Sequence, residues 1–191
     1  MGGLAGPLRV LAAVAAPDET RTENPPLDVE AEMQALLDAV SDLASGRGGG
    51  QVRILEVASL SQITAALREG SFHVLHLSAH GSSSTVELED EDGEPHPVDS
   101  RALMNAIRDA QAAVPLIVLS SCAGASGGGE AMAAGLIAAG ADRVLAMQTS
   151  ISDSYAIRRL AAFYRDLTTP AGDWLLAQMQ ELERSRARIV E

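Results

Sequence analysis

The sequence predicts an α/β fold, a mainly parallel sheet with helices on both faces. Short apolar runs of strand length alternate along the chain with segments of helical spacing, the pattern of successive strand-helix-strand units. A chain of 191 residues that is 47% hydrophobic but only 3% aromatic must build its core from Ala, Leu, Val and Ile, and that composition suits helices packed on a parallel sheet. The length fits one domain, 1–191, with a core of useful size and a helical tail over 168–191.

The elements follow in order. "LRVLAAVAA" (8–16) is an apolar run ended by Pro17, as a buried strand would be. "PDETRTENPPL" is polar with a proline pair and reads as a surface loop. From Asp28, apolar residues at Met33, Leu36, Leu37, Val40 and Leu43 keep helical spacing, and "SGRGGG" (45–50) ends that helix. "QVRILEVAS" (51–59) reads as the second strand. Ser59 with Gln62 forms a capping box for a helix closed by Gly70. "FHVLHLSAHG" is the third strand, closed by His80.

"TVELEDEDGEPHPVDS" (85–100) places an acidic turn between two extended pieces, an inserted, exposed acidic hairpin. Asp99 or Ser100 caps a helix carrying Leu103 and Ile107. "PLIVLSSCAGA" (115–125) is the fourth strand, its apolar run stopping at Ser120, Ser121 and Cys122. A glycine-rich loop leads to the helix "AMAAGLIAAGA" (131–141), and "DRVLAMQTS" (142–150) is the fifth strand. Ser152 or Asp153 then caps a helix with Ile157, Leu160, Tyr164 and Leu167 at regular spacing. The tail from Trp174 is helical and arginine-rich near its end, which favours the helix dipole.

The formal net charge of −12 argues against nucleic acid or an anionic membrane as partner, because no basic stripe is there to neutralise phosphates. No run approaches the roughly 20 apolar residues of a membrane span. The apolar stretch near the start has no basic residue before it except Arg9, which lies inside it, so a first strand is expected rather than a signal peptide. The single cysteine excludes an internal disulfide and suits a reducing compartment, the cytoplasm.

The densest chemistry is "HVLHLSAHG", three histidines within residues 73–81. On a strand His73 faces away from His76 and His80, and those two stand roughly 13 Å apart at about 3.3 Å per residue. One ion does not bridge that distance, so no metal site is expected. His73 and His76, within the strand, read as structural hydrogen-bonding groups. In parallel sheets chemistry sits at the carboxyl ends of the strands, where His80 and Cys122 fall. A thiol attacks as a thiolate, and a neighbouring imidazole both lowers its pKa and holds a proton for the leaving group. Adjacent strands lie about 4.8 Å apart, close enough to bring such a pair together. Gly81, without a side chain, lets its N–H approach a substrate carbonyl, and with the N–H of Cys122 it would form an oxyanion hole.

"FHVLHLSAHGS", the acidic hairpin, "PLIVLSSCAG" and "AAGADRVLAMQTSISDSYAIRRLAAFYRDL" together resemble a CHAT domain, the bacterial caspase-like family related to separase. The resemblance runs from about Leu8 to Leu167. It implies a caspase-like three-layer sandwich and a cysteine endopeptidase that cuts a protein substrate. His80 and Cys122 map to the family's dyad, and no metal or organic cofactor is implied. Related enzymes that cleave after basic residues use acidic side chains in the specificity pocket. Here Asp153, after the fifth strand, and Asp18, after the first, are the candidates, although Asp153 is also a good helix N-cap. Ala123 stands where the family often has a polar residue. Such domains usually follow tetratricopeptide repeats, which are not present, so the chain is expected to be a stand-alone member, one partner of a split system with a regulatory protein of tetratricopeptide or other type, or an excised domain. The alternative is a catalytically silent caspase-like scaffold or sensor. A flavodoxin-like nucleotide module ranks behind both, because "APDETRT" is no phosphate loop, although "GASGGGE" before a helix suits an anion. The acidic segment 87–94 reads as a solvated edge that blunts the sheet, or else as a dock for a basic partner.

Overall fold

The computed structural model describes residues 7–17, 27–41, 50–82, 84–120, 128–146 and 153–167, with side chains omitted at 128–131 and 153–156. Within them the chain runs β1 (Arg9–Val14), α1 (Val29–Ser41), β2 (Gln51–Leu55), α2 (Leu60–Glu69), β3 (Val74–Ser78), β4 (His80–Gly81), β5 (Thr85–Glu89), β6 (Pro95–Asp99), α3 (Ser100–Asp109), β7 (Leu116–Ser120), α4 (Gly128–Ala138), β8 (Val144–Ala146) and α5 (Asp153–Leu167). Five strands form one parallel sheet in the order β2-β1-β3-β7-β8. β4, β5 and β6 form a second, antiparallel sheet.

The parallel sheet is covered on both faces, and side-chain alternation decides which residue goes where. Leu11, Ala13 and Ala15 of the first strand segment, Leu75, Leu77 and Ala79, and Ile117 and Leu119 meet α2, α3 and α4 in one core. Val10, Ala12, Val14, Val74, Leu116 and Val118 meet α1 and α5 in the other. This is a three-layer sandwich, as the alternation of runs and helices predicts. The strand order reverses between β1 and β3, because β2 lies on one side of β1 and all later parallel strands on the other. In open α/β sheets that reversal leaves a crevice at the carboxyl ends.

Local chemistry sets the helix ends. Asp28 accepts the Ala31 N–H at 3.3 Å through its carboxylate. Ser59 caps α2, accepting the Gln62 N–H at 3.1 Å. Asp99, rather than Ser100, caps α3, its carboxylate accepting the Ala102 N–H at 2.7 Å. Gly140 follows α4 with φ of 107°, a left-handed conformation that glycine adopts without penalty. Ala141 N–H then closes on the Leu136 carbonyl at 2.9 Å.

Several expected boundaries shift. β2 stops at Leu55, since the residues after it bend into the Ser59 cap. α4 begins at Gly128, three residues earlier than the spacing of its apolar residues suggests. The third strand is shorter than the apolar run: it ends at Ser78, and His80 does not close it but opens β4, paired with β5. The segment 85–99 is not simply an exposed hairpin, because Val86, Leu88 and Val98 are buried in the α2–α3–α4 core. Its turn is polar, with Asp90 Oδ1 accepting the N–H groups of Asp92 and Glu94 at 2.9 Å each. The expected strand ends over 121–125 and 147–150, the glycine-rich loop up to residue 127 and the tail over 168–191 lie outside the described residues.

Candidate active site at the carboxyl edge of the sheet

The site grows from the last rungs of β3 and β7. These strands run parallel with Ser78 opposite Ser120. One residue on, the Ala79 N–H reaches the Ser120 carbonyl at a long 3.5 Å. β3 is held on its other side by the Ala15 N–H, which donates to the Ser78 carbonyl at 2.8 Å. Beyond Ala79 the backbone leaves the parallel sheet and joins β5, with His80 opposite Glu87 and Gly81 opposite Val86.

That second pairing aims the groups on β4. Rungs of an antiparallel ladder alternate between hydrogen-bonded and non-hydrogen-bonded pairs. The Ser82 N–H donates to the Thr85 carbonyl at 2.8 Å, so the next rung, Gly81–Val86, is non-hydrogen-bonded. The Gly81 N–H therefore points away from β5. Side chains alternate too: Val86 and Leu88 face the core, which turns Glu87 and its cross-strand neighbour His80 to the opposite face. His80 is 8% exposed and Gly81 partly exposed.

Of the other residues singled out in the sequence, Asp153 is the first residue of α5, with its side chain outside the description. Cys122 and Asp18 lie outside the described residues. His73 sits one residue before β3, where its Nδ1 accepts the Arg9 N–H at 3.0 Å while its own N–H donates to the Arg9 carbonyl at 2.8 Å. The ring joins the starts of β1 and β3, at the edge opposite His80.

Directly below the site on the α1–α5 face is a buried polar cluster that sequence reasoning found only in part. His76 Nε2 lies 3.1 Å from Glu32 Oε1. The Ser78 hydroxyl donates to Glu32 Oε2 at 2.6 Å, and Ser120, its rung partner, is among the groups that favour the ionised carboxylate. His76 Nδ1 lies 3.0 Å from the Tyr164 hydroxyl. Burial by itself raises the Glu32 carboxyl, but the hydrogen bond and charge of His76, with the hydrogen bonds of Ser120 and Ser78, outweigh it and leave the group below its ordinary value. Burial, and then the Glu32 charge, push the Tyr164 phenol well above its ordinary value. The cluster therefore holds one carboxylate, ionised at neutral pH, with a neutral phenol beside it. The signal in the sequence was Glu32 itself, which shares the buried stripe of α1 with Leu36, Ala39 and Val40 at helical spacing.

A second buried carboxylate joins the two sheets. Glu89, at the end of β5, is 7% exposed and accepts the Ala16 N–H at 3.0 Å, while its own N–H donates to the Ala58 carbonyl at 2.9 Å. It fixes the hairpin against the carboxyl end of β1, beside the strand-order reversal.

The class this defines is a three-layer α/β domain with a histidine-glycine pair diverted from the central sheet onto a small antiparallel one at its carboxyl edge. The CHAT-domain family model matches residues 5–184, and the chain belongs to the CHAT-domain family, whose fold is caspase-like. No curated protein matches the sequence. Among solved structures, the CheY-like protein TadZ from Pseudomonas aeruginosa PAO1 is similar over 83% of this chain and 93% of its own, at 14% identity and a TM-score of 0.33. Protein GSU0716 from Geobacter sulfurreducens is similar over 62% of this chain and 51% of its own, at 16% identity and a TM-score of 0.35.

Proposed function

We propose that this CHAT domain is a cysteine endopeptidase with Cys122 as nucleophile and His80 as general base and acid. One observation carries the reading. Ser78 and Ser120 form the same rung of β3 and β7, and His80 and Cys122 each follow that rung by two positions. The Ala79 N–H still reaches the Ser120 carbonyl before the chain turns to β5, so His80 leaves the sheet beside Ser120, at the carboxyl edge where such sheets place their chemistry.

The cycle balances with these groups. His80 takes the thiol proton, and the Cys122 thiolate attacks the scissile carbonyl carbon. The oxyanion that forms is met by the N–H groups of Gly81 and Cys122; the orientation of Gly81 away from β5 supports the first of these. The C–N bond breaks as His80 returns its proton to the departing amine. Water, deprotonated by His80, then cleaves the thioester and regenerates the thiol. The steps require no metal or organic cofactor. Asp153 and Asp18 are the acidic groups suited to a basic side chain at the cleaved position, each following a strand of the parallel sheet in sequence. A regulatory protein, of tetratricopeptide or other type, is the expected partner besides the protein substrate, and the cytoplasm is the expected compartment.

The test is a pair of peptidyl acyloxymethyl ketone probes with a basic or an acidic residue at the cleaved position, applied to the chain and to Cys122→Ala. Covalent labelling by the basic probe, lost in Cys122→Ala, is the expected result. Preference for the acidic probe removes Asp153 and Asp18 from the pocket. Absence of labelling by either probe replaces the peptidase with a silent scaffold or sensor.

A further inference from the structure

The buried Glu32 is used by no step of that cycle, yet it touches both strands that lead to the dyad. Its two oxygens are separately engaged: Oε1 faces His76 Nε2 at 3.1 Å and Oε2 accepts from Ser78 at 2.6 Å. Ser78 pairs with Ser120 at the last described rung of β3 and β7, and Ser120 also favours the ionised form of the same carboxylate. One carboxylate from α1 thus holds one strand of this rung directly and the other through its rung partner. The Ala79–Ser120 bond beyond it is already stretched to 3.5 Å.

Stability alone is a weak reason for the arrangement. Apart from this cluster the α1–α5 face of the sheet is packed with Val, Leu and Ala. A buried carboxylate is costly to desolvate, and replacing such a polar network by well-packed apolar groups is often neutral or stabilising. What a fixed carboxylate supplies that an apolar side chain does not is direction, because each hydrogen bond sets a distance and an angle. The groups facing Glu32 hold its plane: His76 from β3, itself fixed by Tyr164 from α5, and the two serine hydroxyls.

We propose that Glu32 is a positioning residue for the dyad, tying Ser78, and through its rung Ser120, to α1 and so setting the approach of the two segments that lead to His80 and Cys122. This rests on the peptidase reading. It assigns Glu32 no contact with substrate. Its effect is on the coupling of thiol and imidazole, which requires their approach to within hydrogen-bond reach.

Cys122 is the only cysteine of the chain, so alkylation reports on it alone. The experiment follows the rate of iodoacetamide alkylation of the full chain against pH by intact-mass spectrometry, with circular dichroism and thermal melting on the same samples. In the unsubstituted chain a paired thiolate reacts well below the ordinary thiol pKa of about 8.5. Glu32→Gln keeps the shape of the side chain and removes its charge. The expected result is a folded Glu32→Gln chain whose alkylation near neutral pH falls about ten-fold and whose inflection moves up toward that of a free thiol. A folded Glu32→Gln chain with the unsubstituted rate and inflection overturns the inference while leaving the peptidase reading intact. If the unsubstituted chain itself titrates as an ordinary thiol, the peptidase reading fails, and this inference with it. Should Glu32→Gln not fold, Ser78→Ala and Ser120→Ala, each removing one hydroxyl of the rung beside that carboxylate, decide in its place. A raised inflection in either supports the tie, and unchanged inflections in both overturn it.

Discussion

Replacing Tyr164 by Phe removes one oxygen from the centre of the buried cluster and leaves the ring. The side chain is 1% exposed and its hydroxyl lies 3.0 Å from His76 Nδ1. An ionised carboxylate only accepts, so His76 Nε2 carries a proton toward Glu32, and Nδ1 has the Tyr164 hydroxyl as its partner. The Phe ring retains the edge contact with Phe163, centroids 5.5 Å apart, and the tilted contact with His76 at 5.8 Å. What is lost is the partner of a buried nitrogen, worth about 1–3 kcal/mol when left unsatisfied. Part of that returns because the hydroxyl no longer needs desolvation, giving a net loss of about 1–2 kcal/mol. For a domain of this size each kcal/mol moves the melting temperature by about 2–4 °C, so Tyr164→Phe should melt about 2–8 °C lower. The assay is thermal and urea unfolding by circular dichroism at neutral pH. A melting temperature equal to that of the unsubstituted chain, with an unchanged urea midpoint, refutes the claim that this hydroxyl satisfies His76.

Two further outcomes follow from packing and titration. A Cβ on Gly135 would stand 2.5 Å from the Ser100 hydroxyl oxygen and 3.0 Å from its Cβ, so the helix gain of about 1 kcal/mol from Gly135→Ala should be outweighed by overpacking of about 1–3 kcal/mol; a lower urea midpoint, partly restored by adding Ser100→Gly, is expected, and a raised midpoint contradicts the close approach of α3 and α4. The pH limits of stability follow from the cluster. Glu32 is below its ordinary 4.5 in the fold, so the unfolded chain takes up that proton first, and the stability it supplies above that value is lost as pH falls through the lower folded one. Tyr164 is raised above 10.0, so the unfolded chain releases its proton first and stability declines as pH rises past that value. Urea midpoints measured against pH should show both arms, the acid arm shrinking in Glu32→Gln and the alkaline arm in Tyr164→Phe.

The architecture was legible because the apolar runs state it directly: β1, β3 and β7 are largely hydrophobic and buried on both faces, as the strands of a doubly covered parallel sheet are. Caps were legible for the same local reason, since Ser59 and Asp99 act on N–H groups three residues away. The end of β3 was not. "LSAHG" continues the strand composition without a break, and what stops the strand is the hairpin beyond it, whose Val86 and Leu88 enter the core and bring β5 alongside His80. A competing partner strand leaves no mark in a short apolar run. The hydrogen-bonding role of His76 was readable from its depth in the strand. Its partners were not, because Glu32 and Tyr164 are 44 and 88 residues away and only the topology brings them together.

The same topology explains why the polar residues gather where they do. Strand order reverses at β1 and β3, the point at which open α/β sheets place a crevice at their carboxyl ends. A carboxylate sits on each side of that reversal. Glu89 ties the hairpin to the end of β1, and Glu32 ties the ends of β3 and β7 to α1. Between them the backbone from Ser78 to Gly81 passes from one sheet to the other and turns the Gly81 N–H away from β5. A segment shared by two sheets has few rotations left. An N–H held in that way needs little reorganisation as charge develops beside it, which is the condition under which a hydrogen-bond donor lowers a barrier rather than merely binding the ground state.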